Sequence, residues 1–283
     1  MTALTDLSDL INRRTGGNSG APEDIWLYMD GRVGAAIATA PVAGRWTSLW
    51  RYNKTRGGSG AAPAASAIPT NTTNGSLFQT DPAGGAQKWL VGAGVTGNVY
   101  GTFMLYDRLV TSGGLSGVTT TAQTTNLPTT ALTRYTTGEG NFIFVEISTL
   151  IGTTATTATI EYTNQAGTTG RVTPAFAIGG TGLREAERFI MVPLADGDTG
   201  VRAIANIDLV ATTGTAGDIA VGIGHQLCNL LMQNIGGLTI RDHISGDTIT
   251  PEIITDACLA LAFHASAVTV PAAMLNFNFV EKS

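Results

Sequence analysis

Apolar and polar residues alternate along much of the chain after residue 89, and that alternation predicts strands. "YGTFMLYDRLV" (100–110), "NFIFVEIST" (141–149), "RFIMVPLA" (188–195), "GVRAIANIDLVA" (200–211) and "GDIAVGIGHQL" (217–227) each carry period-two runs. "GGLTIRDHI" (236–244), "DACLALAFHA" (256–265) and "MLNFNFVEK" (274–282) continue the series. Within "TATIEYTNQAGTTGRVTPAFAI" (157–178), the turn ending at Gly167 reads as a hairpin, as does "TTGTAGD" (212–218). Residues 226–235 fit strand and helix equally. Strands this closely spaced, with no recurring helix, predict an all-β chain. The expected fold is an antiparallel, jelly-roll-like β-sandwich over residues 89–283.

Residues 1–88 follow another pattern and read as an extended N-terminal arm carrying one short helix. In "TDLSDLINRR" (5–14), Thr5 caps the helix and Leu7, Leu10 and Ile11 form one apolar face. Arg13 and Arg14 sit at the negative end of its dipole, and Gly16 and Gly17 stop it. A helix of about ten residues is not stable alone. It needs a surface to lie on, and another subunit would supply one. The remainder is rich in Gly, Ala and Pro, with apolar islands at "DIWLYM", "GAAIATA" and "RWTSLWRY". The run "TRGGSGAAPAASAIPTNTTNGS" (55–76) has no period and reads as a linker. Trp46 and Trp50 beside it need cover. Leu7, Leu10, Ile11, Trp46 and Trp50 are therefore the expected partner-facing residues of the arm.

Composition sharpens this picture. The 283 residues are 43% hydrophobic and only 13% charged, about half the usual charged share. Polarity comes from 43 Thr and 36 Gly, which favour pleated surfaces and turns. Of the 16 basic residues, 13 are Arg. Low charge with Arg in place of Lys is the composition of protein–protein interfaces. A net charge of −5 argues against a nucleic-acid partner. The local basic stretch at Arg45, Arg51, Lys54 and Arg56 reads as solvated or partner-facing. Cys228 and Cys258 lie in apolar runs and read as buried thiols. No run of 18 apolar residues predicts a membrane span. The N-terminus has acids early and bases late, the reverse of a secretion signal, so the expected site of synthesis and assembly is a cytoplasm.

One motif suggests chemistry. In "WLVGAGVTGNVYG" (89–101), Gly92, Gly94 and Gly97 match the Gly-x-Gly-x-x-Gly spacing of a dinucleotide-binding loop. That loop needs a following helix and an acid about 20 residues on. Here strand-like residues follow, and "GVTTTAQ" lies where the acid should be, so the glycines read as a turn or bulge. There is no phosphate-binding Gly-Lys-Ser/Thr and no Gly-x-Ser-x-Gly elbow. His225, His243 and His264 are scattered, and "RDHISGD", with Asp242 and Asp247, reads as a polar strand end. Asp196 and Asp198 in "DGDTG" read as a turn lacking the longer ligand series of a calcium loop. Arg184, Glu185, Glu187 and Arg188 in "LREAER" read as an ion-paired surface. No catalytic, cofactor-binding or metal residue is assigned, no cofactor is expected, and the chain is not expected to be an enzyme.

The pieces "YDRL", "GLSGVTTTAQT", "YTNQAGTTGR", "LADGDTGVR" and "DACLALAF" span roughly 105–265. Over them the chain resembles a family of virion structural proteins of tailed bacteriophages. The resemblance implies a particle-building role, with a head decoration or cement protein expected first. The alternatives are a tail, collar or adaptor component, or a carbohydrate- or receptor-binding module. Implied partners are other virion proteins, the major capsid protein among them, and copies of the chain itself, with no nucleic acid and no membrane. The implied location is the virion.

Overall fold

The computed structural model describes residues 22–29, 40–52, 57–82, 84–125, 127, 132–244, 250–268 and 271–282. The helix expected at 5–14, with Leu7, Leu10 and Ile11, lies outside the described residues, as do Lys54, Arg56 and Asp247. The described residues form strands and no helix. In chain order the strands are β1 (Glu23–Met29), β2 (Trp46–Ser48), β3 (Gln87–Gly97), β4 (Gly101–Leu115), β5 (Gln123–Thr124), β6 (Asn141–Thr149), β7 (Thr156–Asn164) and β8 (Arg171–Val172). They continue with β9 (Phe176–Ile178), β10 (Arg188–Val192), β11 (Val201–Leu209), β12 (Asp218–Met232), β13 (Leu238–Asp242), β14 (Glu252–Ile253), β15 (Leu259–Ala265) and β16 (Ala273–Lys282).

All the ladders are antiparallel, as the alternation predicts. The expected jelly-roll sandwich has two sheets; this pairing order has three bodies. Sheet 1 runs β1-β16-β3-β13, with β14 also on β3. A closed barrel follows the circuit β10-β2-β15-β4-β12-β6. Sheet 2 runs β5-β11-β7-β8, with β9 also on β7.

Three apolar clusters hold these bodies together, and strand alternation explains their separation. Phe103 and Leu105 on β4, and Leu259, Leu261 and Phe263 on β15, meet Ile25, Leu27, Val95, Leu275 and Phe277 of sheet 1. Ile143, Val145 and Ile147 on β6, and Ile219, Val221 and Ile223 on β12, meet Ile160, Ile204 and Ile207 of sheet 2. The barrel strands' other side chains turn inward. Met104, Tyr106, Phe144, Phe189, Ala260 and Ala262 fill the lumen with Trp50. Glycines on β12 make room for these rings: a Cβ at Gly222 would stand 2.3 Å from the Phe144 ring.

The lumen also holds a charge pair. Arg108 Nη2 lies 2.8 Å from Glu146 Oε2, and both side chains are buried. The Arg108 guanidinium stacks over Trp50 and Phe144, at 4.5 and 4.9 Å from the ring centroids. Burial pushes the Tyr106 hydroxyl far above the usual tyrosine range, with the Arg108 charge opposing it. The neighbouring residue on β4 faces the other way. Asp107 receives Arg134 Nε at 2.8 Å and Nη2 at 3.0 Å, and also the amide of Cys258 at 2.9 Å.

Much of the expected arm is built into these bodies. β1 pairs with β16 along its whole length, and β2 closes the barrel between β10 and β15. The Gly/Ala/Pro run packs rather than linking: Trp50 Nε1 donates to Ala61 O, Ala67 bridges Thr111, and Arg134 Nη2 donates to Pro69 O. These bonds use the run's backbone, so they leave no side-chain period to read. Likewise 212–218 is not a hairpin turn, because β11 pairs in sheet 2 and β12 in the barrel. The Gly167 turn does join ladder partners, β7 and β8.

His225 on β12 supplies a pH dependence. Its ring stacks on Tyr135 at 3.7 Å and its Nδ1 lies 2.9 Å from Asn141 Oδ1. Burial lowers its pKa from 6.5 to about 4. Between those values the unfolded chain binds the proton and the folded chain does not, so stability falls as pH drops through that window. Urea midpoints should therefore decline from about pH 6.5 to about pH 4 and be flat just above it. His225→Asn should flatten that part of the profile.

Candidate functional site

The two flanking sheets share an architecture but differ in what they show to solvent. On β7 of sheet 2 the outward residues are Thr157, Thr159, Glu161 and Thr163, and Glu161 accepts from Asn206 of β11 at 2.8 Å. That face is polar. On β1 of sheet 1, Ile25, Leu27 and Met29 point inward and Asp24, Trp26 and Tyr28 point out.

Register extends this outward set across sheet 1 in three rows. Asp24, Asn278, Gly92 and Asp242 make the first; Trp26, Asn276, Gly94 and Ile240 the second; Tyr28, Met274, Thr96 and Leu238 the third. Trp26 is 61% exposed, Leu238 66% and Ile240 68%. Between Trp26 and the Leu238/Ile240 wall lies a groove of ≈ 170 Å³, floored by Gly94, Asn276 and Met274. Exposed apolar side chains clustered in this way mark an interaction surface.

The glycine motif forms part of this groove. Gly92, Gly94 and Gly97 lie on β3 with no helix after them, so they cradle no phosphate. A Cβ at Gly94 would find its nearest neighbour at 3.7 Å, ordinary contact distance. The fold therefore does not require glycine there; the missing side chain keeps the groove floor low. Gly97 differs, since a Cβ there would stand 2.7 Å from Met232 Sδ.

The expected site residues are dispersed. Trp50 is 4% exposed and occupied inside the barrel. Trp46 packs edge-on against His264, with ring centroids 5.1 Å apart. Arg51 Nη1 donates to Ser148 O. His243 is buried at the end of β13. Cys228 and Cys258 are buried thiols, and burial pushes the Cys258 thiol up. Asp198 receives Arg171 Nε at 2.8 Å, the Tyr162 hydroxyl, and Asn164 Nδ2 at 2.7 Å. The Arg171 bond first, then Tyr162, holds its carboxyl at about 2. Its oxygens serve to tie the 196–200 turn to β7 and β8. Glu185 lies 3.7 Å from Arg188 and 3.9 Å from Arg184, an ion-paired group whose Arg188 is buried. Among the described residues no cluster of His, Cys, Asp and Glu could hold a metal ion.

Sequence reasoning marked "DIWLYM" as an apolar island but missed its partners. Leu238, Ile240 and Met274 join Trp26 only through the pairing of β1, β16, β3 and β13. No protein-family model, curated protein or solved structure matches the chain.

Proposed function

We propose that the chain is a non-enzymatic structural protein of a bacteriophage virion, assembled in the host cytoplasm. Its role is head decoration or cement: it bridges capsid subunits by burying surface between them, with the major capsid protein and copies of itself as partners. What supports the reading is the outer face of sheet 1. Trp26, Tyr28, Leu238, Ile240 and Met274 gather five large exposed apolar side chains on one flank, whereas the outward residues of β7 on the other are Thr and Glu. Aromatic anchors such as Trp and Tyr are enriched among the residues that carry most of the energy of protein interfaces.

Trp26 and Tyr28 also form an aromatic platform, which a sugar-binding module would use. Asn276 and Asn278 on the same face offer hydrogen-bonding groups to a sugar, whereas the exposed Leu238, Ile240 and Met274 favour a protein partner.

The test is light scattering and co-sedimentation of the purified protein with empty phage heads and, separately, with tails. Binding to heads is expected. Trp26→Asp and Ile240→Asp should each weaken it by about 30-fold or more, the equivalent of about 2 kcal/mol per anchor. Neither should shift the unfolding midpoint, because both side chains are exposed. Binding to tails alone would move the role to a tail, collar or adaptor component. Binding to neither would return the reading to the sugar-binding module.

A further inference from the structure

We infer that the Lys88 amine and the Gln79 carboxamide join in an isopeptide bond once the chain has folded, releasing ammonia, with Glu23 as the base. The bond is a covalent staple within one chain, independent of the partner-binding face proposed above.

One corner of sheet 1 brings the three groups together. Lys88 on β3 is fully buried, Gln79 is buried, and Glu23 begins β1. Lys88 Nζ lies 3.0 Å from Gln79 Oε1 and 2.5 Å from Glu23 Oε2. Thr80 O, at 2.5 Å, aims the amine, and Glu281 Oε1 lies 3.9 Å away. The Phe279 ring covers the amine, its centroid 5.4 Å from Nζ. The carboxamide is held from its other side. Gln79 Nε2 donates to Asp81 Oδ1 at 3.3 Å, and Asn71 Nδ2 donates to Gln79 O at 3.2 Å. The carbon to be attacked is one bond beyond Oε1, so a turn of the amide brings it within reach of Nζ. The choice of cation matters as well. The other described ion pairs with a buried cation use Arg108, Arg134 and Arg188, and arginine cannot shed its proton. Lysine can, and its neutral amine is a nucleophile. The chain has only three lysines, and one of them stands here.

The step balances without an oxidant or reductant. Glu23 takes one proton from the ammonium, and the freed amine attacks Gln79 Cδ. The Cδ–Nζ bond forms and the Cδ–Nε2 bond breaks. A second Nζ proton and the one held by Glu23 pass to the departing nitrogen, which leaves as ammonium. The third stays on the new amide, and Glu23 ends ionised as it began. The ammonium departs past Asp81, which is half-buried and adjoins the exposed Thr80. The staple joins two of the three bodies. Gln79 lies two residues after Leu77, whose amide donates to Leu259 O on β15 of the barrel, whereas Lys88 belongs to sheet 1. An amide also survives the reducing conditions in which disulfides do not persist.

The experiment weighs the full-length protein by mass spectrometry after days of incubation at neutral pH. The chain is denatured first, so that only covalent bonds count. It is expected to be lighter than its sequence by one ammonia, about 17 Da. Trypsin should fail to cut after Lys88 and release one peptide, residues 57–108, short of one ammonia and giving no backbone fragments between positions 79 and 88. Gln79→Met, close in volume, should restore both the full mass and the cut after Lys88. Glu23→Ala should slow the loss of ammonia by at least about a hundredfold, its unfolding midpoint showing that it is folded. If that variant does not fold, the wild-type and Gln79→Met masses still decide. A wild-type chain of full mass would overturn the inference. So would ammonia lost while Lys88 is still cut, which would place the loss in a succinimide at Asn74–Gly75. An undiminished rate in folded Glu23→Ala would remove Glu23 as the base and overturn the mechanism.

Discussion

Glu146→Gln is expected to lower the unfolding free energy by about 3–5 kcal/mol, a large part of the total stability of an ordinary domain. The reason is the lumen of the barrel. Glu146 is the carboxylate beside Arg108, and neither side chain reaches solvent. Arginine keeps its proton at any ordinary pH, so it cannot shed its charge when the partner is lost. Arg108 Nε and Nη1 have no hydrogen-bond acceptor among the described residues, and the Trp50 and Phe144 rings compensate only in part. The double variant Arg108→Met with Glu146→Leu removes both charges and is expected to recover most of the loss, because a buried pair often gives no net gain over apolar residues of similar volume. Urea unfolding of Arg108→Met, Glu146→Leu and the double variant forms a cycle that reads the coupling directly. A double variant no more stable than Glu146→Gln would mean that the pair, and not the packing, holds the barrel.

The second large effect is expected at Gly152, where Ala should cost about 3 kcal/mol. A Cβ there would stand 1.7 Å from the carbonyl oxygen of Thr213, a backbone atom that no rotamer change can move. Thr213 is a knot between three loops. Its hydroxyl accepts from the Gly152 amide and donates to Gly117 O, and its carbonyl accepts from Thr154 N at 3.0 Å. Forcing Thr213 away disturbs the connections after β4, β6 and β11 together. Gly94→Ala is the matched control. Its Cβ has room, so the unfolding midpoint should move by less than about 0.5 kcal/mol in equivalent terms. Thermal or urea unfolding of the two variants separates a glycine the fold requires from one that shapes a surface.

These cases indicate what the sequence makes legible. "NFIFVEIST" became β6 with the boundaries the alternation marks, since β6 lies mid-barrel with apolar neighbours on both faces. The continuation of β12 through residues 228–232 was ambiguous because a register shift between Gln226 and Cys228 breaks the period there. β1 and β2 read as parts of an arm because their ladder partners, β16 and β15, lie at the far end of the chain. The groove was half legible: the Trp26/Tyr28 alternation can be seen, but its opposite wall exists only once four strands are in register. The glycine spacing read as a turn or bulge because strand-like residues follow it; hydrogen bonding to β16 and β13 places it within a strand, with a bulge opposite Asn278 and Phe279 beside Gly92.

That pairing of chain ends also governs how the protein is made. Asp24 and Asn278, bonded side chain to side chain, are 254 positions apart. A ribosome adding about 5–20 residues per second needs about 13–50 s to cover that interval. Until then β1 has no neighbour, sheet 1 lacks β16, and the barrel seam at β2 stays open on its β15 side. Each nascent chain therefore passes through a stage with apolar strand edges on display. A cell crowded with copies would need chaperone holding during translation to keep those edges from pairing between polysomes.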